Sequence, residues 1–230
     1  MIAPFRTPCK SHIASAMRSL WSFSVSAILA LGLAACAGPE ADAPPAPDAS
    51  ASVAVTDSAW TLDPTASRLG YVSIKAGEVA ENNRFDTLSG KVAADGTASV
   101  DVSLASVNTG VDARNERMRD VFFAVADNPT ATITAKLDPA RFGGLMIGQT
   151  VSRPLQASVT IKGVSADIVT EVLVTRTGQD RVMVLSAAPV IISTDMFGLT
   201  DELGELRAMA QLPSITPAVP VTFTLVFTRG

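Results

Sequence analysis

The residues of this chain best equipped for chemistry lie together between Thr109 and Pro129, in the run TGVDARNERMRDVFFAVADNP. A guanidinium fork matches a phosphate bidentately, so Arg114, Arg117 and Arg119 are candidates to pair with a phosphate or another polar group. Glu116 with Asp120, and Asp201 with Glu202 further on, are acid pairs that nominally suit general acid-base work or a hard cation. Neither pair has the ligand count or spacing of a calcium loop, and solvated or ion-paired carboxylates are the better reading. The absences are equally informative. The only histidine is His12 and the only cysteines are Cys9 and Cys36. This excludes Cys/His zinc sites, Ser-His-Asp and Cys-His nucleophiles, and disulfides in the region after Cys36. Phe142-Gly143-Gly144 is followed by Leu145, Met146 and Ile147, without the lysine a phosphate loop requires. No catalytic residue and no metal ligand is assigned, and the chain is not expected to be an enzyme.

What must position the charged run is a set of strands. Arg114, Glu116, Arg117, Arg119 and Asp120 are interleaved with Met118, Val121, Phe122 and Phe123, which predicts a helical turn or two with one charged and one apolar side. Two readings stay open for it: a plug closing one end of a β-barrel, held by its own ion pairs, or a charged mouth over a cavity. Around it the chain alternates. Val100, Val102 and Leu104 alternate with Asp101 and Ser103, and Ile133, Ala135 and Leu137 with Thr132, Thr134 and Lys136. The same pattern runs through Leu155 to Lys162 and Val221 to Phe227, with less regular strands expected near Ser67 to Lys75, Phe85 to Ala93, Ile168 to Arg176 and Arg181 to Ile192. Asp95-Gly96 and Thr177-Gly178-Gln179-Asp180 are the plainest hairpin turns. Eight strands with one apolar face each must stack as a sandwich or close as a barrel; closure removes the edge strands and leaves an interior that side chains fill or that holds one small ligand. Met196 to Met209, interrupted by Gly198 and Gly204, is expected to be a short lid or connection, with Phe197 facing the core or a cavity.

The first 35 residues carry Arg6, Lys10 and Arg18, no acid, and an apolar run from Trp21 to Ala35, which predicts a targeting segment rather than a membrane span. Translation starting at Met17 instead of Met1 would give a signal of conventional length. Leu33-Ala34-Ala35-Cys36 resembles the lipobox of bacterial lipoprotein signals, which implies cleavage before Cys36, lipidation of its thiol and stable anchoring without a transmembrane helix. Ala37-Gly38 after the cysteine resembles the pattern of lipoproteins sent to the outer membrane. Residues 36–57, rich in Pro, Ala, Asp and Ser, cannot repay the entropy of ordering and read as a disordered tether. Residues 58–230 form one domain of ordinary size. Without residues 1–35 the chain has 15 basic residues against 22 acids, a net charge of −7, which disfavours nucleic acid as a partner.

The central run continued to TGVDARNERMRDVFFAVADNPTATIT resembles the segment that identifies the YceI-like family of bacterial envelope proteins. The resemblance extends in order through WTLDPTASRLGY at Trp60 to Tyr71, the turn at Leu88 to Gly90, VTIKGVSAD at Val159 to Asp167, the FGL at Phe197 to Leu199 and the valine-rich exit at Val219 to Phe227, covering residues 58–229. Many members carry an Arg-Asp pair and a histidine where this chain has Arg114-Asn115 and Arg117, so no role of that acid or histidine is carried over. The resemblance implies an all-β fold, an eight-stranded antiparallel lipocalin-like β-barrel with one or two short helices and a long apolar cavity. It implies an apolar lipid ligand, a polyisoprenoid, quinone or related molecule, and no other cofactor. The wall would then be made of Leu69, Tyr71, Val102, Leu104, Ile133, Val159, Ile161, Phe223 and Phe227, with Phe122 and Phe123 from the central run, and Arg114, Arg117 or Arg119 would meet a polar head at the mouth. Such a protein would bind and sequester or carry its ligand at the periplasmic face of the envelope, held to the membrane by the anchor at Cys36. A ligand-free structural or interaction module, and an enzyme using carboxylates or arginines, are the alternatives. The oligomeric state stays open, a homodimer included.

Overall fold

Period-two alternation with β-branched residues on both phases leaves this chain little option but strands, and strands that bury one face each must close or stack. A computed structural model describes residues 59–138, 141–142 and 144–229. The expected signal segment, Cys36 and the expected tether lie outside the described residues. Within them, twelve strand segments assemble into eight staves. The first stave is β1 (Trp60–Leu62) with β2 (Arg68–Lys75), the second β3 (Val79–Phe85) with β4 (Leu88–Val92), and the third β5 (Thr97–Ser103) with β6 (Val107–Asn108). Then come β7 (Thr130–Lys136), β8 (Thr150–Ile161) and β9 (Val164–Gly178) singly, a seventh stave of β10 (Arg181–Ser186) with β11 (Val190–Ser193), and β12 (Ala218–Thr228).

Each stave pairs antiparallel with the next, and the last pairs with the first. Thr61 lies opposite Thr228 and Leu62 opposite Phe227, while farther along β12 Val221 lies opposite Tyr71 and Phe223 opposite Leu69. The result is a closed eight-stranded up-and-down antiparallel barrel, and the sandwich alternative is set aside. The regular strands expected from the sequence each fall on a stave.

The breaks within staves have local causes. Between β1 and β2, Asp63 Oδ1 accepts from the Thr65 and Ala66 backbone at 3.0 and 3.2 Å, which turns the chain. Ser67, 3% exposed, then accepts the Val226 N–H on its hydroxyl at 2.9 Å, so a side chain continues the seam where the ladder lapses. At the bend between β3 and β4, Ser106 does the same, accepting from Thr87 N at 3.0 Å and donating to Ser103 O at 2.7 Å. Gly90 permits the close approach of β4 to β5: a Cβ there would lie 2.7 Å from the Ser99 carbonyl oxygen.

Two helical insertions cover one end of the barrel. The first follows β6 as α1 (Asp112–Arg117) and widens directly into a π-turn over Met118–Phe122. Asp112 in its first turn and Arg114 and Arg117 in its last suit the helix dipole. The widening, seen in the Phe123 N–H reaching Met118 O at 2.9 Å, inserts a residue into the turn. Consecutive Phe122 and Phe123 are thereby both buried, in edge contact at 4.9 Å. The second insertion is a 3₁₀ turn, Thr194–Phe197, stopped by left-handed Gly198 at φ 68°, then α2 (Thr200–Met209). Phe197 and Leu199, each 2% exposed, pack beneath it. The amphipathic turn expected at Arg114 to Phe123 and the short element expected at Met196 to Met209 are both present.

Candidate functional site

Inward-facing rows of an eight-stranded barrel either interdigitate or leave a hollow. Here they leave one. Leu69, Ile133, Val159, Ile161, Val184 and Phe223 face inward yet stay only partly buried, because a cavity of about 770 Å³ runs between them. That is the size of pocket that encloses a substantial organic ligand. The eleven residues expected to form an apolar wall, Leu69, Tyr71, Val102, Leu104, Phe122, Phe123, Ile133, Val159, Ile161, Phe223 and Phe227, all line it. Phe197 lines it too, so its burial in the core and its place on the wall are the same fact. An aromatic run, Tyr71 to Phe85 at 5.7 Å and Phe85 to Phe123 at 6.0 Å between ring centres, joins β2 and β3 to the π-turn.

Toward the helix-covered end the wall turns polar along two paired strands. On β2 the inward column reads Leu69, Tyr71, Ser73, Lys75; opposite it on β3 it reads Phe85, Asn83, Glu81. Glu81 accepts from Lys75 Nζ at 2.9 Å and from Arg114 Nη1, so α1 is fastened to the wall by one carboxylate between two cations. Arg114 also donates to Thr109 Oγ1 at 3.0 Å and Thr109 O at 3.1 Å, and Asn115 Oδ1 accepts from Thr109 N and Oγ1 at 2.8 and 2.7 Å. Burial pushes the Glu81 carboxyl up, but the hydrogen bonds and charges of Lys75 and Arg114 outweigh it and hold the group below its ordinary value. Burial pushes the Tyr71 phenol well above its ordinary value, against the pull of the Arg114 charge. Across the same end, Lys162 in the β8–β9 turn donates to Glu202 of α2 at 2.6 Å, and that hydrogen bond, opposed by burial, lowers the Glu202 carboxyl.

The three arginines of the central run therefore part company. Arg114 lines the cavity but is committed to Glu81 and Thr109; Arg117 lines the cavity, half-buried; Arg119 is not on the cavity wall. The two sequence readings of this run merge, with one correction: it is held by an ion pair to Glu81 of β3 rather than by pairs of its own, and it also borders the cavity.

The sequence reading passed over five polar positions: Lys75, Glu81, Asn83, Arg153 and Arg176. Their signal was phase. Arg153 shares the inward phase of β8 with Leu155, Ala157 and Val159, and Arg176 shares that of β9 with Val172 and Val174. Arg153 lines the cavity, with Nη1 on Ser152 O at 2.8 Å and Nη2 on Arg141 O at 3.4 Å. Arg176, 4% exposed, closes the end opposite the helices: it donates to Leu145 O at 3.0 Å, Gln179 O at 2.9 Å and Gly178 O at 3.2 Å. Among the described residues no cluster of three or more acidic, histidine or cysteine side chains could hold a metal ion, and no helix is long and apolar enough to cross a membrane.

Known proteins resemble this arrangement. The sequence model of the YceI-like domain matches residues 60–227. A polyisoprenoid binding domain from Saccharophagus degradans, implicated in plant cell wall breakdown, is 38% identical, with a TM-score of 0.73, covering 74% of this chain and 98% of that one. BcnA of Burkholderia cenocepacia is similar in fold at 22% identity and a TM-score of 0.56, covering 72% of this chain and 98% of its own. No curated protein sequence matches the chain.

Proposed function

The chain belongs to the YceI-like family, and from that premise we propose that it binds one long apolar molecule, a polyisoprenoid, quinone or related lipid, and sequesters or carries it in the bacterial envelope. The observation that carries this reading is the hollow itself: a cavity of about 770 Å³ whose wall is apolar along the barrel and whose polar residues gather toward the helix-covered end, with Arg153 the charged exception at the other. That gradient matches an amphiphile with a long tail and a small head. The binding described for the Saccharophagus relative, 38% identical over nearly its whole length, supports the same class.

The energetics need no special residue. Each CH₂-sized group moved from water into the wall contributes about 0.8 kcal/mol, so a few prenyl units exceed the several kcal/mol that association costs. The wall residues named above hold the tail, and Arg117 borders the mouth where the head would rest. No step of bond making or breaking is assigned to the site. Anchoring through a lipidated Cys36, with the tether of residues 36–57 holding the barrel off the outer membrane on its periplasmic side, completes the proposal; it is supported by the lipobox-like Leu33 to Cys36 and the composition that follows.

Native mass spectrometry with solvent extraction, on protein recovered from a Gram-negative host, tests the binding. The expected result is a stoichiometric extra mass that extracts as a prenyl chain or prenylated quinone. Protein that is empty as isolated and also refuses added prenyl lipids would sink the reading.

A further inference from the structure

We propose that the polar end of the ligand carries a hydroxyl group, recognised by Asn83 and Tyr71 on the cavity wall. This rests on the carrier reading above and narrows its ligand class. Asn83 is 5% exposed and lines the cavity. Its amide nitrogen donates to Ser73 Oγ at 2.9 Å and to Glu81 O at 3.1 Å. The second bond fixes the amide's orientation, because only the NH₂ side can meet a carbonyl. The amide oxygen is therefore left buried, with no hydrogen-bond partner among the described residues.

Tyr71 is its register partner on β2 and lines the same cavity. Burial keeps the phenol protonated, so it offers an O–H as well as a lone pair. The oxygen is desolvated even while the hollow is empty, and a ligand without a donor leaves it so.

A hydroxyl is the small group that donates and accepts at once, its O–H toward Asn83 Oδ1 and its lone pair toward the Tyr71 O–H. A quinone carbonyl has nothing to donate. A phosphate is a worse match: its charge would lie beside the Glu81 carboxylate, whose two cations, Lys75 and Arg114, are already engaged. Two sources share the hydroxyl chemistry, the terminal alcohol of a polyprenol and the ring hydroxyl of a prenylated quinol.

The test uses the full chain, stripped of endogenous lipid and offered five ligands of one prenyl length in competition: the hydrocarbon, the alcohol, the alcohol's monophosphate, a quinone and its quinol. Retained ligand is read by native mass spectrometry. The alcohol or the quinol, or both, should exceed the quinone and the phosphate by about tenfold, the worth of one well-made hydrogen bond in a desolvated site; the ratio of alcohol to quinol identifies the source. Asn83→Leu should erase the preference, bringing the alcohol and the quinol down to the retention of the quinone, and Tyr71→Phe should reduce it. Equal or tighter retention of the phosphate or the quinone by the unaltered chain overturns the proposal, and that ranking decides even if Asn83→Leu fails to fold. A preference that survives in folded Asn83→Leu also overturns it. Failure of all five ligands, the hydrocarbon included, overturns the carrier reading itself.

Discussion

The two ends of this barrel are closed by different chemistry. At the helix-covered end the fastenings are ion pairs between side chains: Glu81 with Lys75 and Arg114, and Lys162 with Glu202. Each ties a helix to a strand or turn that is remote in sequence. At the opposite end Arg176 is spent on main-chain carbonyls of Leu145, Gly178 and Gln179, with Leu145 4% exposed beside it. There too Arg229 lies 5.3 Å over the Trp60 ring while its Nη2 meets Asp180 at 2.7 Å, which clamps the first and last strands to the β9–β10 turn. Carbonyls do not titrate, whereas ion pairs weaken with acid and salt; those on the floor side, Arg229 with Asp180 and Arg181 with Asp63, stand beside the carbonyl-held Arg176 rather than in its place. The comparison teaches that one end is built as a fixed floor and the other as a fastening that can come undone.

The largest effect should come from removing the floor's fixing. Arg176→Leu strands buried carbonyls that a charged donor had satisfied, and should cost about 3 kcal/mol in urea unfolding; a loss below about 1 kcal/mol would show that the floor does not depend on it.

Acid should separate the ends next. Glu81 and Glu202 both titrate below their ordinary values when folded. Each therefore contributes stability that is complete above the unfolded carboxyl value of about 4.3 and is lost as pH falls through the depressed folded value. Hydrogen exchange stepped from pH 6 to 3, corrected for intrinsic rates, should show α1 and α2 losing protection before residues 174–182. Loss of both together would break the distinction.

A smaller change is expected from Glu202→Gln, which loosens α2 from the β8–β9 turn. We expect roughly 0.5–1 kcal/mol in global stability for this half-buried pair, together with faster ligand release in stopped-flow displacement. The smallest belongs to the pair of Lys136 and Asp95, 2.9 Å apart but 65% and 63% exposed on the floor side. Lys136→Ala should shift stability by less than about 0.5 kcal/mol. An effect as large as that of Arg176→Leu would mean that surface charge, not the buried arginine, secures that end.

The legibility of the sequence divides along the same line. Strands whose inward residues are apolar, such as Val100 to Leu104 and Val221 to Phe227, are readable by alternation, which leaves sandwich and barrel open; closure is implied only by the resemblance to the YceI-like family. β3 is not readable: VAENNRF presents Glu81 and Asn83 to the interior, so alternation predicts strand only from its last residue, Phe85. β8 likewise runs back to Thr150, past Arg153, where alternation of apolar residues stops. In both cases the pattern fails where a polar side chain faces the cavity, since polar interior positions are tolerated only where partners or solvent meet them. The apolar wall could be chosen by phase, which is a local property. Which arginine would be held by Glu81 could not, because that pairing joins residues 33 apart in the chain.

β12 carries a further consequence, for the order of events in synthesis. It touches β1 and β2 on one side and β10 and β11 on the other, and it is the last of the barrel's strands to emerge from the ribosome or, in an exported chain, from the translocation channel. Until it docks, the nascent chain is an open ribbon with two raw edges, a template for pairing with other chains. Contacts such as Thr61 with Thr228 span nearly the whole domain, so that final docking is slow compared with the making of the hairpins. No enclosed container exists before it, so the hollow and its wall are complete only once β12 is in place.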